Sequence, residues 1–373
     1  MADSHRDSVV FTVVVTALVV FGALPILVLI TLSGAPSSML LATVLAALPV
    51  GPLVACYVWL DRYEPEPRRI LFLGLLWGGF VATAAALVLQ GLGGLFVGFS
   101  ETASLAVVAP VTEEASKGLF LLFMLWWRHG EFDGILDGIV YAGMVGIGFA
   151  FIENILYLAA AYNGTSGSGP GGIEGVTPVF IMRCLISPFA HPLFTTFLGI
   201  GFGIAVSSRM RSIRILAPLL GYLVGVLAHG AWNGSTVYGF EGFVGVYFLV
   251  MVPAFIVLLS LAVWWRRTER RMLFVALTDA SQRGLVPETD IPWLIDLRAR
   301  HQSRVYARQM GGRQAEHTMR EYQQAAIELG FLHHRYLRGT APADFAARGQ
   351  KYVARINAIR PALHFPGHVV PAR

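Results

Sequence analysis

Apolar residues in this chain come in long blocks rather than in stripes. The blocks occupy 9–32, 38–60, 70–98, 104–127, 135–161, 178–207, 213–236 and 243–265. A helix needs about 20 apolar residues to cross the ~30 Å hydrocarbon core of a bilayer. Each block meets that length, so eight transmembrane helices are predicted. The first is too long for the apolar core of a signal peptide and reads as an uncleaved span.

Charge in the connections orients the spans. Arg62, Arg68, Arg69, Arg128, Arg209, Arg211 and Arg214 fall in the connections 61–69, 128–134 and 208–214, and the last block ends at Arg266 and Arg267. The alternate connections 33–37, 99–103, 162–177 and 237–242 hold no Lys or Arg. Basic residues stay on the cytoplasmic side, so both termini are expected in the cytoplasm. An even span count requires the same side for both.

After Arg271 the apolar blocks stop. Residues 272–373 read as amphipathic helices broken at 284–287, at Gly311-Gly312 and between Gly339 and Pro342, with 316–337 the clearest helix. The expected architecture is all-α: an eight-span membrane domain over 1–266 and a small helical cytoplasmic domain over 267–373.

Composition agrees. The 373 residues are 55% hydrophobic and 14% charged, with mean hydropathy +0.62. Soluble domains carry about 25% charged residues. The formal charge of +5 belongs to the tail: from Arg266 onward 18 Lys+Arg face 9 Asp+Glu. Such a tail suits an anionic inner leaflet. No recognised nucleic-acid motif accompanies it, so no nucleic-acid partner is expected. Cys56 and Cys184 make no disulfide framework and no metal motif, and both read as small buried hydrophobes.

Against this background the polar residues inside the blocks stand out. Residues 113–117 place Glu113, Glu114 and Lys117 in the fourth span. A charge near the bilayer centre costs at least ~2.5–3.5 kcal/mol, so these groups need partners. At 1.5 Å per residue the two glutamates lie about 13–16 Å deep. Lys117 is i+4 from Glu113 and i+3 from Glu114 and can reach either, while the two carboxylates point about 100° apart. The fifth span adds Glu153 and Asn154. The sixth adds His191 between Pro188 and Pro192, where broken backbone bonds suggest a kink lining a cavity. The seventh adds His229 and Asn233 on one face. Arg183 lies near the outer boundary and reads as a snorkelling cation.

Four consecutive spans thus carry acid/base and ligand groups at similar depth. Two histidines and a glutamate can hold a divalent metal with one position open for water. A free Glu can serve as general base, and an Asn or Lys can hold an oxyanion. The same carboxylates would also suit a proton-coupled transporter, although no internal repeat of the spans is visible. A non-catalytic receptor or scaffold would leave the buried groups unexplained.

The ordered motifs resemble one family. Glu-Glu-x-x-Lys at 113–117, Phe-x-x-x-Glu-Asn at 149–154, His191, and His-x-x-x-Asn at 229–233 are similar to those of the PrsW intramembrane proteases. These are distant relatives of the CAAX prenyl endopeptidases, in which a His stands at the place of Glu153 and an Arg at that of Lys117. The resemblance implies a multi-pass enzyme of the bacterial plasma membrane. It implies cleavage of membrane-anchored proteins, for instance anti-sigma factors, near the outer face, by metal-activated or glutamate-activated water.

In the expected arrangement Glu113 or Glu114 is the base, Lys117 orients a carboxylate, and Asn233 stabilises the tetrahedral intermediate. Glu153, His191 and His229 bind the metal, with zinc the ion named. Convergence of those three side chains within ~4–5 Å would favour a metal. Clustering of the glutamates with His229 and Asn233 alone would favour a metal-free route.

Overall fold

A computed structural model describes residues 2–32, 35–128, 130–165 and 170–367. Every regular element among them is helical. Ten helices carry the description: α1 (Ala2–Leu32), α2 (Pro36–Leu60), α3 (Arg68–Val97), α4 (Ala109–Trp127), α5 (Ile135–Tyr162), α6 (Gly172–Ser207), α7 (Arg211–Ser235), α8 (Val252–Gln282), α9 (Leu297–Leu337) and α10 (Phe345–Ile359). The chain divides into two compact units, Met1–Trp59 with Glu66–Ala262, and Leu60–Pro65 with Val263–Arg373.

Six helical runs are long and apolar enough to cross a membrane: Asp7–Leu32, Pro36–Leu60, Arg68–Val97, Ile135–Tyr162, Gly172–Ser207 and Arg211–Gln282. Helix α4, with Glu113, Glu114 and Lys117 inside five residues, is not among them. The last run covers 72 residues, but Gly239 takes a left-handed φ of 71° inside it and reverses the local path. The Gly/Ser-rich connection expected at 162–177 is shorter than its composition suggests. Helix α6 begins at Gly172, and residues 166–169 lie outside the described residues.

In the first unit α5 is the central element. Its most apolar window is 89% buried, against 22% for α1 and 17% for α2. Glycine allows that centrality. A Cβ on Gly78 would stand 1.9 Å from the Val145 carbonyl oxygen, and one on Gly138 would stand 2.1 Å from the Gly199 oxygen. Without side chains the backbones of α3 and α6 close directly onto α5. Gly221 and Gly225 do the same for α7 against α6. The Gly94/Gly98 pair makes no such contact, and Gly98 instead ends α3 with a left-handed φ of 68°. Asp137 folds back to accept from the Asp133 and Gly134 amides at 2.9 and 2.8 Å, capping α5.

Two irregularities shape the site. Residues Trp77–Ala82 and Ile181–Ile186 are π-helical, and α6 then breaks at Ser187–Phe189 before resuming at Ala190. A π turn adds a residue to the coil and rotates the side chains beyond it. The break puts His191 in a fresh first turn, next to Pro192.

The second unit is built the opposite way round. Leu277, Val286, Leu294, Met319, Tyr322 and Leu329 form a buried apolar core. The expected breaks are all present: a turn after Gln282, a kink at Gly311 and Gly312 with φ of −141° and 69°, and the end of α9 at Leu337. The helix expected at 316–337 is the second limb of this longer kinked one. Asp296 caps its start, accepting from the Arg298 and Ala299 amides at 2.8 and 3.0 Å. Buried Arg300 donates to the Leu294 carbonyl and, at 2.9 Å, to that of Tyr63 in the 60–65 segment. Burial pushes its guanidinium down to about 10, still cationic at neutral pH. Of the two cysteines only Cys184 is buried; Cys56 is exposed, which corrects the reading of both as core residues.

Candidate active site

Helix α4 is anchored so that its charges face inward. The Trp77 indole donates to the Ser116 carbonyl at 3.0 Å, and the Ser116 hydroxyl bonds the Ala82 carbonyl at 3.2 Å. Gly118 lets Leu198 approach. Glu113, Glu114 and Lys117 are all buried, and Lys117 is fully enclosed. Its ammonium donates to Glu114 Oε1 at 2.8 Å, lies 3.6 Å from Glu113 Oε2, and sits 3.8 Å above the Phe149 ring. One lysine therefore serves both carboxylates.

Glu114 is saturated with donors. Besides Lys117, the Thr195 hydroxyl reaches Oε2 at 2.9 Å and His229 Nδ1 reaches Oε1 at 3.0 Å. A carboxylate only accepts, so the proton of His229 is assigned to Nδ1, which leaves a lone pair on Nε2. Phe194 stacks on the His229 ring at 4.6 Å and fixes its plane. His229 Nε2 then faces Glu113 Oε2 at 3.7 Å.

Glu113 is the contrast. Gln90 of α3 donates to its Oε1 at 3.3 Å, but Oε2 is buried and has no hydrogen-bond partner. An orphaned buried acceptor costs ~1–3 kcal/mol or more, so a compensating role is expected.

His191 mirrors His229. Its Nε2 lies 2.6 Å from Glu153 Oε2, and its Nδ1 lies 3.2 Å from the Lys117 ammonium. Glu153 again only accepts, so Nε2 carries the proton and Nδ1 the lone pair. Arg183 bonds the Glu153 carboxylate and, through Nε, the Asn154 oxygen at 2.8 Å. Asn233 donates to the Leu105 carbonyl at 3.2 Å, tying α7 to the segment before α4.

Glu113, Glu114, Lys117, Glu153, His191 and His229 thus form one continuous network. Asn233 stands beside it, on a cleft wall, and bonds none of the others in it. Glu113, His191 and His229 each offer one ligand atom within 4.8 Å of the others. In the triple read from sequence, Glu153 stood where Glu113 stands in this one. The Glu153 oxygen meets His191 Nε2 and Arg183. Gln90, Thr195 and Arg183 were not read as site residues. Gln90 was visible as a lone amide in an apolar block, while Thr195 gave no signal. Arg183 was read as a snorkelling cation, and its bonds to Glu153 and Asn154 overturn that.

A cavity of about 480 Å³ leads to His191, between α5, α6 and α7. Apolar Val179, Met182, Trp232 and Phe243 line much of it, and Asn154, Arg183 and Asn233 supply polar edges. Ligand pockets of this size with a few convergent polar groups are usual for small or extended substrates.

Acid, base and ligand groups meeting a cleft inside a helical membrane bundle define a membrane-embedded hydrolytic enzyme. Residues 66–258 match the family described as PrsW family intramembrane metalloprotease. Curated relatives agree. The chain is 30% identical to a protein called Protease PrsW from Geobacillus kaustophilus over 190 residues, 50% of this chain and 76% of that protein. It is 30% identical to its Bacillus subtilis namesake over 201 residues, 52% and 81% of the two chains. It is 26% identical to the one from Shouchella clausii over 232 residues, 60% and 95%. No solved structure matches the chain. The chain belongs to the PrsW family and is an intramembrane protease. The family match, residues 66–258, lies within the first unit and does not reach residues 263–373.

Proposed function

We propose that this protease hydrolyses peptide bonds of membrane-anchored proteins, anti-sigma factors being one candidate class, near the outer face of the bacterial plasma membrane. The proposed topology has eight spans and cytoplasmic termini. Helix α4 counts as a span because its charges face protein rather than lipid, and the reversal at Gly239 divides the last long run in two. The arginine-bearing connections then lie inside. The cleft is lined by Thr236 and Phe243, beside a connection free of Lys and Arg, which supports cleavage on the outer side.

The observation that carries the reading is Glu113 Oε2, which accepts no hydrogen bond and has Lys117 only at 3.6 Å, facing the lone pair of His229 Nε2. Their spacing suits two ligands of one ion, and the cluster's formal charges suit a cation. Three carboxylates face Lys117 and Arg183, leaving one negative charge. Each histidine also has its far nitrogen on a carboxylate, His229 on Glu114 and His191 on Glu153, which is the usual support for a ligating imidazole.

Glu113, His191 and His229 would therefore hold a divalent ion, zinc by its preference for this donor set. When bound it would supply Lewis acidity and draw the pKa of water toward ~7. Glu114 and Glu153 hold the two rings in their tautomers. Lys117 donates to Glu114 and balances the carboxylates, and its contact with His191 Nδ1 would give way to the ion. The Asn233 amide, on the cleft wall, is placed to donate to the oxyanion of the scissile carbonyl.

Cleavage of a co-expressed membrane-anchored reporter tests this. Glu113→Gln, which removes a proposed ligand, and Glu114→Gln, which removes the support of His229, should each lower the cleavage rate by at least about 10–100-fold, with the protein still extracted as a folded species. Undiminished cleavage in both variants would defeat the assignment. A strong chelator should abolish activity and zinc should restore it; chelator-resistant cleavage would shift the role of Glu113 from ligand to base.

A further inference from the structure

We infer that Arg183 is a positioning residue of the reaction centre, acting through Glu153 on His191. This rests on the site proposed above, in which His191 is a ligand.

The guanidinium is committed along one edge. Nε donates to Asn154 Oδ1 at 2.8 Å and Nη2 to Glu153 Oε2, two consecutive residues of α5. Consecutive helical side chains diverge by about 100°, and a planar fork is the shape that spans such a pair. Its Cζ also sits 4.0 Å above the Tyr157 ring, one turn further along α5. Three contacts on one helix face hold the guanidinium still. The π-helical stretch Ile181–Ile186 presents Arg183 to α5 immediately before α6 breaks. The helix irregularity, the arginine and the ligand histidine therefore lie within about ten residues.

What Arg183 holds matters because of the next contact. The Glu153 oxygen bonded by Arg183 is the one that meets His191 Nε2 at 2.6 Å. Fixing that oxygen keeps the proton on Nε2 and turns the Nδ1 lone pair toward Lys117 and Glu113. Without the arginine, Glu153 is free to rotate into the cleft or to turn toward Lys117. His191 then loses its fixed tautomer, and the ligand set loses one defined nitrogen.

Arg183 also lines the cleft. A substrate-binding role would use a charge that is free, whereas this charge is matched by Glu153. Direct substrate contact predicts a rise in KM; positioning predicts a fall in kcat.

The experiment uses the full chain in nanodiscs, with Arg183→Gln, Arg183→Lys, Glu153→Gln and the double variant Arg183→Gln/Glu153→Gln. Arg183→Gln should lower kcat on a membrane-anchored reporter by roughly 10–100-fold and change KM by less than about twofold. Zinc affinity, measured against a competing chelator, should fall by roughly 10–100-fold, the usual effect of disturbing a ligand's support. Arg183→Lys should recover part of both losses, since it restores the charge but not the fork. The double variant should be no worse than Glu153→Gln alone. A rise in KM at unchanged kcat would overturn the proposal in favour of substrate contact. Additive losses in the double variant would overturn it by showing that Arg183 does not act through Glu153. Should Arg183→Gln fail to fold, the Lys variant decides by the same kcat and affinity readouts. If wild type binds no zinc, the metal reading fails, but the kcat split and the double-variant coupling still judge Arg183.

Discussion

The two units of this chain are inverted copies of one rule. In the first, the enclosed positions include Glu113, Glu114, Lys117, His191 and His229, while Phe21, Leu24, Leu95 and Leu249 are exposed. In the second, Leu277, Leu294 and Met319 are enclosed, while Arg308, Arg320 and Arg355 point outward. Side chains go where their surroundings match them. Lipid is as apolar as leucine, so burying leucine in the membrane unit gains little, and association depends on close backbones and polar contacts. The second unit encloses apolar side chains and exposes charged ones, the arrangement that apolar burial from water produces. The two most apolar runs, Asp7–Leu32 and Arg211–Gln282, are accordingly among the least buried, and the centre is the glycine-rich α5.

The enclosed charges of the first unit depend most heavily on Lys117. Lys117→Met leaves buried carboxylates without their cation, and losing one partner of a buried pair costs about 3–5 kcal/mol. A large fall in thermal unfolding temperature in detergent is expected, together with loss of cleavage. Unchanged stability would mean that the interior charges do not depend on one another.

Next come matched leucines. Leu277→Ala in the second unit should cost about 2–5 kcal/mol, whereas Leu24→Ala, 59% exposed on α1, should cost under about 1 kcal/mol. Denaturation of each variant, read by a fluorophore in the unit concerned, measures both. Equal losses would erase the inversion.

Glycine gives a smaller and oppositely signed pair. Gly138→Ala sets a Cβ against the Gly199 carbonyl and should destabilise by about 1–3 kcal/mol. A Cβ on Gly349 in α10 meets nothing within 4 Å, so Gly349→Ala should stabilise its helix by about 0.5–1 kcal/mol. Melting curves of the two variants should move in opposite directions.

The smallest effect is an acid dependence confined to the second unit. Hydrogen bonds from Arg283, then from His333, hold the Asp279 carboxyl below its usual range. A depressed carboxyl contributes stability above the unfolded-state value of about 4, and the contribution fades as pH falls below it. Asp279→Asn should lower the stability read from α10 near pH 7 and flatten its acid limb, so that variant and wild type converge at low pH.

Much of this was legible in the residues. Block lengths located helices, and the breaks in the tail were marked by Gly311-Gly312 and Gly339. Each is a local property. The roles inside the cluster were less accessible. Glu113 and Glu114 are neighbours in sequence, yet one is saturated with donors and the other keeps an orphaned oxygen. That difference depends on the rotation of α4, fixed by Trp77 and Ala82 of α3. Arg183 was misread for the same kind of reason, since the π turn that aims it at Glu153 leaves no mark in composition.

By itself the sequence determined that this chain crosses a membrane repeatedly and which ionisable groups it carries there, because hydropathy and charge placement are additive along the chain. Only the tertiary structure decided which carboxylate supports which histidine and which oxygen is left open. Helix rotation and close approach select those pairings, and both arise from contacts between residues far apart in the chain.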